Sequence, residues 1–371
     1  METQTFDALV IGAGIAGATT AAALAADRRV GLIEAEEHAG YHTTGRSAAR
    51  WERNYGPKDV RILTAQSRDF FEAPPSGFTE TPLMHPRPTL LLAPEAQRAN
   101  LARAMIEGAG LREVSIAEAR RLLPALRPGY AAAAAVEDDC FDMDVSAIHQ
   151  GFLRQFRARG GVLGLRQRAG RIERRDGAWH VTTVAGDVFR APTVVNAAGA
   201  WGDEVAAIAG AQPLGLTPKR RTGVIIDPAP WDVAEWPMTI DVGETWYTRP
   251  EARTRLMVSP ADRTPMHAHD VQADELDIAT AIDRMQQALE VEVRRVERSW
   301  AGLRTFTPDG SLAFGWDDAT PGFFWCVGQG GYGIQTSPAA GRLVAAMIAG
   351  RDPDVPAPIL AAIDPRRFRV Q

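Results

Sequence analysis

The run FDALVIGAGIAGATTAAALAADRRVGLIEAE, Phe6 to Glu36, constrains the fold of this chain more than any other stretch. A short apolar strand, Ala8–Ile11, runs into Gly12-x-Gly14-x-x-Gly17, then an alanine-rich helix to about Ala26, then a second strand, Val30–Ile33, that ends at Glu34. Each part has a physical task. Gly12 permits the tight turn, Gly14 lets backbone approach a pyrophosphate, and Gly17 lets the helix pack closely on the strand. The N–H groups and dipole of the helix N-terminus favour phosphate. Glu34, twenty positions after Gly14, is placed to accept hydrogen bonds from a ribose. This is a dinucleotide fingerprint, and by itself it does not separate NAD from FAD.

Two further strand-to-helix junctions are almost free of side chains. In RAPTVVNAAGAWGDEVAAIAG, a strand at Thr193–Asn196 meets the small-residue turn 197–200, then Trp201 and a helix. In GFFWCVGQGGYGIQTSPAAGRLVAAMIAG, a strand at Phe323–Val327 meets Gly328, Gly330, Gly331 and Gly333 before a helix from about Thr336. Such junctions suit a large planar cofactor lying against backbone N–H groups, although tight packing alone also favours small residues there. Between the first two junctions, residues 162–191 read as a small meander with a hairpin turn at Asp176-Gly177.

Composition narrows the function classes. The 371 residues carry 41 Lys+Arg against 46 Asp+Glu, a formal charge of −5, which gives no general attraction to nucleic acid or an anionic membrane. Only Lys58 and Lys219 are lysine, so 39 of the basic residues are arginine, a bias that a GC-rich genome explains for most of them. Cys140 and Cys326 stand alone, without a zinc or dithiol spacing, and His267 and His269 form only a lone HxH, so no metal site is expected. The N-terminus lacks a basic leader and no apolar run is long enough to span a bilayer, so a soluble, cytoplasmic protein is expected.

Five segments in order, GAGIAG with Glu34, GYHTTGRSAA, VVNAAGAW, WAGLRTFTPDGSLAFG and GQGGYGIQTSPAAG, resemble the FAD-dependent D-amino-acid oxidase and dehydrogenase superfamily. Within it the chain is most similar to soluble bacterial D-amino-acid dehydrogenases of the D-arginine type. The resemblance implies an α/β fold with an α+β second part: a Rossmann-like FAD-binding domain of the glutathione-reductase type, and an antiparallel-sheet substrate domain. The first is expected from residues 1–75, 141–212 and 300–371, the second from 76–140 and 213–299. FAD is expected to be noncovalent, although His42 stands where some relatives attach the flavin. The implied cofactor contacts are Gly12, Gly14, Ile15, Ala16, Gly17, Glu34 and Ala35 at the nucleotide, and Thr43, Thr44, Ser47 and Ala48 in the second segment. Ala198, Gly199, Trp201 and Gly302 follow, with Gly331, Tyr332, Gly333, Ile334 and Gln335 at the last junction.

Oxidising an amino acid at Cα needs a clamp on the carboxylate, an oriented amine and the Cα–H aimed at flavin N5. A guanidinium matches a carboxylate at two points as lysine cannot, and Arg304 holds the clamp position by resemblance. Tyr247 and Tyr55 are placed to donate to the same carboxylate, and the backbone at Gly331 to accept from the amine. The resemblance implies oxidative deamination of a D-amino acid by hydride transfer, giving an imino acid and then a 2-oxo acid and ammonia. The electron acceptor would be a quinone or O2, with at most peripheral membrane contact, in a monomer or small oligomer. Sarcosine- or glycine-type, opine-type and 2-hydroxy-acid oxidoreductases remain alternatives on the same fold.

The chain departs from the D-arginine type at two points. Arg50 replaces a histidine near the reacting groups, and Thr89 stands where a cationic substrate would want an acid. If Arg50 reaches the pocket, an acidic side chain or a second carboxylate on the substrate is expected; a surface arginine is the other reading. Arg220 and Arg221 are ambiguous in the same way.

Overall fold

The computed structural model describes residues 3–369. Its central sheet has six strands in the order 162–164, 30–33, 8–11, 193–196, 323–327 and 313–316. The first five run parallel and the last is antiparallel. Alternation along each strand sends side chains to two cores. Val10, Val195 and Phe324 pack with the helices Ile15–Leu24, Val145–Ala158 and Ser337–Ile348 on one face. Leu9, Ile11, Val194 and Trp325 pack on the other face against Trp179, Val181 and Phe189 of a four-stranded sheet. The Rossmann-like arrangement expected from the three glycine junctions is therefore present, with each junction at the C-terminal end of a parallel strand, where open α/β sheets bind ligands.

One strand differs from its expected place. Val162–Gly164 is not part of the meander but pairs in parallel with Gly31–Ile33 at the edge of the central sheet. The short turn after the helix Val145–Ala158 returns the chain alongside that strand, and the N–H of Glu34 donates to the Gly164 carbonyl. The meander proper begins at Ala169, and Asp176 and Gly177 have φ of 49° and 75°, as a two-residue type I′ hairpin requires.

The second large sheet has eight strands in the order 296–306, 217–226, 255–259, 247–251, 238–241, 89–93, 133–137 and 111–114. It is antiparallel except where Met238–Asp241 runs parallel to residues 89–92. Leu256, Val258, Val224 and Ile226 face a core closed by the helix Glu275–Ala288. The intervening positions, Met257, Gly223 and Arg221, face the opposite way, into a cavity shared with the central sheet. A small three-stranded sheet, 50–52, 140–143 and 84–86, lies in the segments linking the two. Among the described residues, no helix is long and apolar enough to cross a membrane, and Cys140 and Cys326 are buried and unpaired.

Candidate active site

One cavity runs from the glycine turn to the eight-stranded sheet. Gly12, Gly14, Ile15, Ala16, Glu34 and Ala35 line its first end, and Thr43, Thr44, Ser47, Ala48, Ala198, Gly199 and Trp201 its middle. Gly302, Arg304, Gly331, Gly333, Ile334, Arg221 and Tyr247 line its far end. The three glycine junctions and the clamp position, far apart in sequence, thus face one space.

At the first end the turn is shaped by exclusion. Gly12 has φ +101°, and a β-carbon there would lie 2.6 Å from the Ala197 carbonyl oxygen. The helix Ile15–Leu24 begins at Gly14 without a side-chain cap from its own N-cap residue, and Thr44 Oγ1 accepts from the N–H of Ile15 at 3.0 Å. The Glu34 carboxylate accepts from the N–H groups of Ala13 at 2.8 Å and Glu36 at 3.1 Å, which fixes it at the strand end.

The middle is stitched to the arginine strand. Thr43 donates to the Leu303 carbonyl at 2.7 Å, Trp300 Nε1 to the Arg46 carbonyl at 3.0 Å, and Arg46 to the carbonyls of Val271 and Ala301. The His42 ring lies 4.5 Å from Trp201, with Nε2 3.0 Å from Glu36 Oε1.

At the far end, Arg304 Nη1 donates to the Tyr55 hydroxyl at 3.3 Å. A β-carbon at Gly331 would lie 2.6 Å from that hydroxyl and 3.2 Å from Nη1, so a side chain there would displace the Tyr55 hydroxyl from its present position. Burial weighs against the Arg304 charge, but Tyr55, Tyr247 and Asp262 outweigh it and hold its pKa above the ordinary guanidinium value. Arg221 lies beside Tyr247, its guanidinium carbon 5.7 Å from the ring centroid. Burial, reinforced by repulsion from Arg304, lowers the Arg221 pKa. Burial alone would raise the Tyr247 phenol, yet the two arginines bring it below its usual value. The arrangement is a positive, aromatic-walled end of a nucleotide-sized tract, able to bind an anion and stabilise charge.

Several expected residues lie elsewhere. Arg50 does not reach the cavity. Its Nε bonds Glu52 at 2.9 Å, Nη1 bonds Asp142 at 2.8 Å, and Nη2 bonds the Arg87 carbonyl and Thr89. Two carboxylates already neutralise it, so it is neither a surface arginine nor a pocket one. Gly17 acts by packing, since a β-carbon there would overlap the Gly12 carbonyl oxygen. Tyr332 stands behind the site, its ring 5.1 Å from Tyr55. Gln335 is buried and donates to Thr64 at 2.8 Å rather than lining the cavity. Arg220 turns away from the cavity, toward the helix Glu275–Ala288, and meets Asp277 at 2.7 Å. Trp300, Met257 and Arg46 line the cavity but were not singled out from the sequence. Strand alternation places Met257 opposite the buried Leu256 and Val258, so the register would have found it.

Residues 7–347 match the family model described as DAO, FAD dependent oxidoreductase. The chain belongs to this family. A curated glycine oxidase from Geobacillus kaustophilus (strain HTA426) is 28% identical over 176 residues, 47% of this chain and 45% of that protein. The alignment thus spans less than half of that relative. The crystal structure of glycine oxidase from the same organism superposes with TM-score 0.84 at 22% identity, covering 96% of this chain and 98% of that one. L-proline dehydrogenase from P. horikoshii gives TM-score 0.85 at 20% identity, covering 99% and 98%. At such identities the likeness is one of fold.

The site fits the FAD that this family binds. The Gly12 turn leaves no room for a side chain, the N-terminus of Ile15–Leu24 opens on the cavity, and Glu34 closes the nucleotide end. Gly12, Gly14, Ile15, Ala16 and Glu34 line the end that would hold the nucleotide, and Thr43, Thr44, Ser47, Ala48, Gly302, Gly331, Gly333 and Ile334 line the part that would hold the ring. The chain is thus a member of the FAD dependent oxidoreductase family with a cavity that fits FAD.

Proposed function

We propose that this chain oxidises a D-amino acid to its imino acid, which water converts to a 2-oxo acid and ammonia. The observation that carries the reading is the Arg304–Tyr55 pair closing on Gly331 at the far end of the cofactor cavity. A carboxylate there displaces the water that would otherwise solvate Arg304 and takes a two-point contact from the guanidinium, with a third donor from Tyr55. Tyr247 and Arg221 border the same space and hold the substrate from the other side. The amine then lies against the Gly331 backbone, where no side chain competes with it. FAD, when bound, supplies the acceptor for two electrons and the Cα hydrogen. No titratable base is needed if the amine arrives neutral, which suits a site whose nearest charges are cationic. In this reading residues 1–75, 141–212 and 300–371 form the cofactor domain and 76–140 with 213–299 the substrate domain. A quinone or O2 reoxidises the enzyme, and FAD is held noncovalently.

A second reading, oxidation of glycine or an N-methyl amine, draws on the likeness to glycine oxidase. A panel of D-amino acids, their L-enantiomers, glycine and sarcosine, assayed with an artificial electron acceptor and with ammonia and 2-oxo-acid detection, separates the two. Turnover of D-enantiomers above glycine and sarcosine supports the first reading. Preference for glycine or sarcosine establishes the second, and turnover of L-enantiomers alone refutes both.

A further inference from the structure

The far end of the cavity holds two guanidinium groups. Arg221 and Arg304 sit on neighbouring antiparallel strands in a register that pairs Lys219 with Arg304 and Arg221 with Gly302, so they are diagonal neighbours on one sheet face. Each has its own phenol: Tyr55 accepts from Arg304, and Tyr247 packs beside Arg221. One nearby carboxylate, Asp262, serves both, and it also lies 3.7 Å from Arg220. The side-chain hydrogen bond of Arg304 among the described residues is the one to Tyr55. Arg221 donates from Nε to the Asp262 backbone carbonyl at 2.9 Å and lies 3.9 Å from its carboxylate. That carboxylate is already engaged by the N–H and hydroxyl of Thr222, at 2.7 and 3.1 Å. The acids that line the cavity, Glu34, Glu36 and Glu204, belong to the nucleotide end and the middle.

Two partly buried like charges side by side are unfavourable unless an anion joins them. An ordinary amino acid brings one carboxylate, which can meet only one of the two guanidiniums at two points. We propose that the substrate carries two carboxylates, one held by Arg304 with Tyr55 and the other by Arg221 with Tyr247. The class is a dicarboxylic amine, with the second carboxylate either on the side chain or on the amine substituent. Repulsion from Arg304 adds to burial in lowering the Arg221 pKa, and the two guanidiniums together lower that of Tyr247. This deepens the amine-oxidation reading and rests on it; the role expected of Arg50 falls instead to Arg221.

The test compares kcat/KM of the holoenzyme within three pairs: D-glutamate and D-glutamine, D-aspartate and D-asparagine, iminodiacetate and sarcosine. The expected result is a preference of tenfold or more for the dicarboxylate in at least one pair. The first two pairs report a side-chain carboxylate and the third one on nitrogen. In the Arg221→Met variant the dicarboxylate-to-neutral ratio falls at least tenfold. Equal or better use of the neutral partner in all three pairs overturns the proposal. So does an unchanged ratio in the variant, which would mean both guanidiniums grip one carboxylate. Calorimetric titration of the holoenzyme with succinate and with butyrate decides independently of turnover. Succinate is expected to bind at least tenfold tighter, and equal affinity overturns the proposal even if amines are oxidised. If no amine is oxidised, the amine-oxidation reading falls on its own.

Discussion

The hydroxyl of Tyr55 lies 3.3 Å from Nη1 of Arg304, a contact that joins positions 249 residues apart at the end of the cofactor cavity. Tyr55 follows the small three-stranded sheet and Arg304 lies on the long edge strand of the eight-stranded one, so the pair forms only when both sheets are in place.

If this pair is the carboxylate clamp, Arg304→Met removes the charge and one anchor together. The expected loss in kcat/KM is about two to four decades, the scale of a lost desolvated ion pair. Tyr55→Phe removes one charge-assisted hydrogen bond and should cost ~1.5–3 kcal/mol, with Arg304 still in place. Steady-state kinetics on the best substrate check both.

Gly331 offers a sharper discrimination between binding the cofactor and using it. Its backbone is not in the left-handed region, so Gly331→Ala acts through space alone: the methyl would meet Tyr55 Oη at 2.6 Å. The variant should retain flavin while kcat/KM falls tenfold or more. The flavin-to-protein absorbance ratio and kinetics measured on one preparation test this.

Gly12→Ala should do the reverse. At φ +101° and 2.6 Å from the Ala197 carbonyl, a methyl both strains the turn and pushes it from its neighbour junction. Purified variant should carry less than half the flavin of the wild type, and what remains should dissociate faster on dilution.

Glu137 is buried with one carboxyl oxygen lacking a hydrogen-bond partner. Burial, with the charge of Glu52, pushes its pKa from 4.5 to about 7. Between those values the folded protein keeps a proton that the unfolded chain has released, so stability falls as pH rises through the window. The ionisation penalty, complete above pH 7, is on the order of 3 kcal/mol. Glu137→Gln should flatten this dependence, giving a higher urea midpoint than wild type at pH 8 and a similar one at pH 5.

Much of the fold was legible because glycine junctions carry backbone constraints locally. Gly12 and the hairpin Asp176-Gly177 announce their φ values without reference to anything distant. Val162–Gly164 was misplaced because its apolar residues suit either sheet, and only the preceding helix decides which. The site was legible where one residue type has one task, as for Arg304 and Gly331. It was not where charge pairing decides: Arg50, Arg220 and Arg221 look alike in sequence. Asp142 and Glu52 claim the first, Asp277 the second, and the third is left facing the cavity. Those partners come from strands and helices too distant in sequence for spacing to reveal.

In the proposed reaction Arg304 and Tyr55 present an amino-acid substrate to the FAD this chain binds. Anaerobic mixing of the holoenzyme with single D-amino acids, followed by flavin absorbance, measures that step. Bleaching of the oxidised flavin within a single turnover by at least one D-amino acid, and its slowing by two decades or more in Arg304→Met, is the predicted result. A flavin that no D-amino acid reduces, or one reduced equally fast in Arg304→Met, would contradict it.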